Sequence, residues 1–158
     1  MIDHHQLRDL IIKPTLEYLD PHIPYSEAAV ELLMMTCAHE SHLGTYLSQI
    51  GGPALGIYQM EPATERDIYD NFLKYRDCLS EMVVGVSGRY YREMNDLFLT
   101  GNLMYQTAMA RVHYYRDSKP LPDVSDIKGL AKYAKRVYNT HEGKASWKNY
   151  FTSYERYC

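Results

Sequence analysis

A chain of 158 residues, 46% hydrophobic and 23% charged, can build one well-buried domain but not two comfortable ones. No run of eighteen apolar residues occurs, which argues against a membrane-spanning helix. The net charge of −3 argues against a dedicated nucleic-acid binder, whose excess of Lys and Arg is stronger.

The N-terminal "MIDHHQLRDL" lacks the basic and apolar regions of a secretory signal, so synthesis in a cytoplasm is expected. "IDHHQLRDLIIKPTLEYL" reads as a first helix, interrupted or kinked at Pro14. Ser26 is a plausible N-cap for a helix through "EAAVELLMMTCAHESHL", with Gly44 as its stop. Residues 44 to 60 form a loop punctuated by Gly44, Gly51, Gly52, Pro53 and Gly56. Pro62 suits the first turn of a helix through "ATERDIYDNFLKY". Further helices are expected over about 79 to 96, over 102 to 116, through "DIKGLAKYAKRVY" and near "SWKNYFTSYERY". With no convincing alternating strand and no internal repeat, the fold class is all-α, one domain over 1–158.

Charge is uneven along the chain. Residues 1 to 127 carry a balance of −8, and residues 128 to 158 one of +5. The basic C-terminal segment suits either a polyanionic partner or a solvated helix face. Three well-separated cysteines, Cys37, Cys78 and Cys158, point to free thiols rather than a disulfide framework.

Glu40 is the residue that asks for chemistry. Cys37, Thr36, Leu33 and Leu32 precede it by three, four, seven and eight residues, so it continues a stripe that packs inward. Desolvation and the negative end of the helix dipole then both raise its pKa. A carboxylic acid protonated near neutrality is what a general acid requires. The alternative is a glutamate in a last helical turn that bends out to solvent. The loop that follows supplies glycines for sharp turns or close ligand approach, with Tyr58 and Gln59 as an aromatic face and an amide suited to a sugar ring.

Three motifs in order carry a resemblance. Glu40-Ser41 at a helix end is followed by Gly56-Ile57-Tyr58-Gln59-Met60-Glu61-Pro62-Ala63-Thr64, and later by Tyr138-Asn139-Thr140 with Gly143 beyond. Together they resemble the signature of the lytic transglycosylase and goose-type lysozyme superfamily, with its Glu-Ser pair, its Gly-Leu-Met-Gln-like stretch and its late Tyr-Asn. Ile57-Tyr58 stands for the common Leu-Met, and Thr140-His141-Glu142-Gly143 lengthens the usual Ala-Gly. The resemblance implies a compact lysozyme-like helical domain whose central buried helix carries Glu40 as catalytic acid and base. Ser41 would orient it or the substrate. Gly56, Tyr58 and Gln59 would line sugar subsites, Tyr138 would hydrogen-bond or position the glutamate, and Asn139 would contact the saccharide. The implied partner is the peptidoglycan glycan strand, with no cofactor, metal or nucleic acid. A stand-alone domain of this kind resembles a bacteriophage product, a monomer or a virion component. It would rest in the host cytoplasm as an endolysin or travel in the virion before meeting the wall.

The reaction type has a sequence signal of its own. Most glycoside hydrolases use two carboxylates, and goose-type lysozymes, as a family, place aspartates in the loop after the catalytic glutamate. Residues 41 to 60 of this chain hold neither Asp nor Glu. A lytic transglycosylase needs one glutamate, since the C6 hydroxyl of N-acetylmuramic acid closes a 1,6-anhydro ring without water. Anhydro-forming cleavage is therefore expected. Hydrolytic muramidase activity is the first alternative, with Glu61, Glu65 or Asp67 as a second base if the fold brings one near. A virion or wall-binding protein that keeps the fold without turnover is the second.

Other constellations are weaker. His39 and His42 are three apart, not at the HExxH spacing, and a metal site would need His113 or His141 as well. Cys37 reads as core. Of sixteen tyrosines, Tyr46, Tyr58, Tyr133 and Tyr138 are candidates to face a saccharide cleft, whereas "RYYRE" and "VHYYR" read as helix surfaces.

Overall fold

The computed structural model describes residues 1–87, 96–139 and 145–158. These residues are mostly helical, with two isolated β-bridges and no strand among them, as the all-α expectation requires. Thr140, His141, Glu142 and Gly143, the "RYYRE" segment, and the end of the helix expected to reach residue 96 lie outside the described residues.

The first helical stretch runs as α1 (His4–Gln6), a wide π-helical segment (Leu7–Ile12) and α2 (Lys13–Leu19). The irregularity is the π-helical turn that runs up to Pro14. The helix is continuous through Ile12 and Lys13, and the missing N–H and ring of Pro14 bear on carbonyls four and five residues upstream, inside that segment. The central helix α3 (Glu27–Ser41) starts at Ser26, whose side chain accepts the Ala29 N–H at 3.1 Å. It stops earlier than Gly44. His42 takes the left-handed cap, and His42, Leu43 and Gly44 all have positive φ.

The remaining helices are α4 (Pro62–Asn71), α5 (Asp77–Ser87), α6 (Asp96–Gly101), α7 (Leu103–Tyr115), α8 (Ile127–Val137) and α9 (Trp147–Tyr157), with a 3-10 turn at Leu73–Tyr75. Asn102, Asp126 and Ser146 cap α7, α8 and α9 with their side chains.

Apolar burial organises these helices around two clusters. One surrounds α3, which is buried over most of its girth, and takes in Ile57, Tyr58, Tyr114, Leu130 and Tyr150. The other gathers Met60, Ile68, Tyr69, Leu79, Val83 and Leu99. Helix α7 serves both, giving Ala110 and Tyr114 to the first and Tyr105, Ala108, Met109 and Val112 to the second. Each fully buried Leu, Met or Val stabilises this arrangement by roughly 1.5–3 kcal/mol relative to exposure. Ile57 and Tyr58 enter the first cluster and Met60 the second. The glycine loop therefore ties the two clusters together immediately beside Glu40.

Candidate active site

Ser41, the last residue of α3, is fully buried and organises the loop that follows. Its Oγ lies 2.6 Å from the Ile57 carbonyl, to which it donates, and accepts the Gly44 N–H at 2.8 Å. From α7, Gln106 Oε1 accepts the Ile57 N–H at 2.6 Å. The Gly56 N–H reaches the Leu47 carbonyl at 2.9 Å, and Leu55 and Met60 exchange backbone bonds at 2.9 and 3.0 Å.

Gly56 is required here on two grounds. Its φ is +75°, and a Cβ would sit 2.0 Å from the Leu99 carbonyl oxygen and 2.4 Å from Gln106 Oε1. Gln59 is also left-handed, with φ +46°. That turn sends Tyr58 and Met60 into the two clusters and leaves Gln59 at a cavity, its Nε2 donating to the Gly56 carbonyl at 2.7 Å.

The cavity holds about 480 Å³ and is lined by Glu40, Gln49, Gln59, Glu61, His113, Tyr138 and Asn139, with Ala54, Met60 and Thr64. Glu40 reaches it from the end of α3 and is half-buried. Its Oε1 accepts a 2.5 Å hydrogen bond from the hydroxyl of Tyr150 on α9. Burial pushes the carboxyl up to about 7, against the opposing pull of the Tyr150 bond and of Lys135 on α8. His39 braces the tyrosine, its ring centroid 4.0 Å from that of Tyr150 and its Nδ1 3.4 Å from Ser153 Oγ.

Tyr138 and Asn139 follow α8. The Tyr138 hydroxyl donates to the Tyr58 carbonyl at 2.8 Å, and Lys135 Nζ donates to Asn139 Oδ1 at 2.8 Å. Burial raises the Tyr138 phenol well above its ordinary pKa, and the nearby charge of Glu40 adds to this. His113, on α7, meets the Tyr138 ring edge-on at 5.1 Å. Its Nδ1 takes the Arg116 guanidinium at 2.8 Å, and desolvation first, then that positive charge, draws the imidazole down to about 4. His113 is therefore neutral at pH 7.

The expected site residues thus divide. Glu40, Gln59, Tyr138 and Asn139 line one cavity. Ser41 and Gly56 do not line it; they hold the loop from behind. Tyr58 contributes its backbone carbonyl to the Tyr138 bond, while its side chain is buried against Thr107, 3.2 Å from that hydroxyl, and offers no face to a sugar. Tyr133 is buried elsewhere, and Tyr46 is partly exposed without lining the cavity. The glutamate's direct tyrosine partner is Tyr150 rather than Tyr138. Its signal in the sequence was faint. Trp147, Tyr150, Phe151 and Tyr154 recur at helical spacing, and a buried tyrosine on such a stripe needs an acceptor.

Of the three further acids, Glu61 lines the cavity. Glu65 is buried with the Tyr105 hydroxyl 2.5 Å away. Asp67 pairs with Arg116 at 2.7 Å, which holds its carboxyl below the usual range. His39 packs at a tilt against Tyr150 and His42 stacks on Tyr157, both tyrosines of α9. Among the described residues, no group of three or more His, Cys, Asp or Glu side chains is arranged to hold a metal ion. Cys37 is fully buried, and burial pushes its thiol up to about 12.

Compared with known proteins, the chain matches no family model, no curated protein and no solved structure.

Proposed function

We propose that this chain cleaves peptidoglycan as a lytic transglycosylase, with Glu40 as its single acid and base. The observation that carries the reading is Glu40 itself: a carboxyl raised to about 7, steadied by Tyr150, at the wall of a cavity that also presents Gln59, Tyr138 and Asn139. At neutral pH a large fraction of such a group is protonated, and the remainder is basic enough to accept a proton.

In the reaction, protonated Glu40 gives its proton to the oxygen joining N-acetylmuramic acid to N-acetylglucosamine. The bond from the muramyl C1 to that oxygen breaks, and the N-acetylglucosamine side leaves with a free hydroxyl. Glu40, now a carboxylate, takes the proton of the muramyl C6 hydroxyl as that oxygen bonds to C1. The product is a 1,6-anhydro ring, no water is consumed, and Glu40 ends protonated as it began. Gln59 and Asn139 present amides for the sugar's N-acetyl and hydroxyl groups. In this reading the chain is a phage product directed at the host wall, released at lysis or carried in the virion.

A hydrolytic reading has one observation in its favour: the Glu61 carboxylate lines the same cavity as Glu40. A second carboxylate so placed can activate water, giving a muramidase.

Digestion of purified peptidoglycan by wild type, Glu40→Gln and Glu61→Gln, with products weighed by mass spectrometry, separates these readings. Muropeptides one water lighter than hydrolysis products, retained in Glu61→Gln and lost in Glu40→Gln, are the expected result. Reducing ends that vanish in Glu61→Gln would establish the muramidase. Wall binding without cleavage in the wild type would make the chain a structural wall-binding protein.

A further inference from the structure

A second cavity, of about 460 Å³, shares no lining residue with the first. It lies between α7, the start of α3 and the segment 117–121, and Tyr25, Tyr114, Tyr115 and Tyr133 contribute to its wall. Arg111 of α7 also lines it.

That arginine is only 6% exposed. One Nη reaches the Pro24 carbonyl at a long 3.4 Å, and Nε has no hydrogen-bond partner. Among the described residues no carboxylate pairs with it. Asp117, the acid on the cavity wall, is engaged by Arg136. Desolvation draws the Arg111 pKa down, but a guanidinium remains charged in a protein. Its guanidinium carbon lies 5.7 Å from the centroid of the Tyr115 ring, but a buried cation without a carboxylate partner is still a large stability cost. Here it opens on a chamber with aromatic walls.

We propose that this cavity binds a small organic carboxylate, with the Arg111 guanidinium gripping the carboxylate and the tyrosine rings packing against an apolar body. The planar fork of arginine matches a carboxylate edge. Phosphate fits less well, because it brings nearly two charges to one buried cation. Lys119, on the same wall, supplies a field that favours anion entry. The proposal does not rest on glycan cleavage, and its test reads binding alone.

The Nε–H resonance of Arg111 in the full chain, assigned by its loss in Arg111→Met, is the direct probe. Benzoate is expected to move it saturably, with a dissociation constant of ~1 mM. Acetate, which lacks the apolar body, is expected to bind about tenfold more weakly, and inorganic phosphate more weakly than benzoate. By calorimetry, Arg111→Met should lose benzoate binding while melting no lower than wild type, because it removes an unpaired buried charge. Arg111→Lys keeps the charge without the fork and should weaken binding about tenfold; it decides the matter if the methionine variant fails to fold. An unmoved resonance, equal binding in the arginine variants, or tighter binding of phosphate than of benzoate would overturn the proposal.

Discussion

Glu40 accepts a hydrogen bond from Tyr150, and Glu65 accepts one from Tyr105, both at 2.5 Å. Both acids lie on helices, and each tyrosine comes from a distant helix. Yet Glu40 stands at the wall of a 480 Å³ cavity, whereas Glu65 is sealed in the second cluster, its tyrosine partner lying 3.3 Å from the Tyr69 hydroxyl. A tyrosine-held carboxyl therefore does not by itself face open space. Access to a cavity separates the two, and Gln49, Ala54, Gln59 and Met60 of the glycine loop border that cavity beside Glu40.

The comparison is broken most directly by exchanging each acid for its amide. Glu40→Gln is expected to lower glycan cleavage by at least about a hundredfold while the fold persists. Glu65→Gln is expected to do the reverse, keeping cleavage per folded molecule and losing about 1–3 kcal/mol of stability in urea unfolding. Comparable loss of activity in both variants would mean that the two sites are not distinct.

Gly56→Ala tests the access itself. The new methyl would press on the Leu99 carbonyl and on Gln106, at a φ that alanine resists, so a loss of about 2–4 kcal/mol is expected. Thermal unfolding measures it, and the activity that remains should show a raised KM.

A smaller effect comes from pH. Folding raises the Glu40 pKa from 4.5 to about 7. The folded state therefore binds the Glu40 proton more tightly than the unfolded state does. The contribution is whole below about pH 4.5 and is lost as pH climbs through about 7. Glu40→Gln should match wild type in acid and exceed it in stability by roughly 1–3 kcal/mol above pH 8, read from urea midpoints across pH.

The smallest expected change is in Tyr150→Phe. The Tyr150 bond favours the charged carboxylate, so its loss moves the Glu40 pKa further up. The alkaline limb of the pH–rate profile should shift to higher pH, by up to about one unit. A shift to lower pH would show that Tyr150 favours the neutral acid instead.

Much of this could be read from the residues. The Ser26 cap and Pro62 at the start of α4 are local chemistry, and the helices lie near their expected places. Glu40, Gln59, Tyr138 and Asn139 were expected together on the strength of the resemblance, and they do line one cavity. The partner of Glu40 was not legible. Tyr150 is 110 positions away, and no local periodicity says which helix α9 will pack upon. Tyr58 was misread for a different reason. Its neighbour Gln59 adopts a left-handed backbone that residue type does not announce, and that one torsion decides which of the two side chains meets the cavity. The cap of α3 fell on His42 rather than Gly44 because three consecutive residues share the left-handed region.

The 110 positions from Glu40 to Tyr150 also set a clock. A ribosome adding about 5–20 residues per second needs roughly 5–20 s to travel that distance. Throughout that interval the acid exists without the hydroxyl that steadies it, and α3 lacks the helix that covers it. The Glu40–Tyr150 pair therefore forms late in synthesis, when α9 docks, and a growing chain lacks it for most of its time on the ribosome.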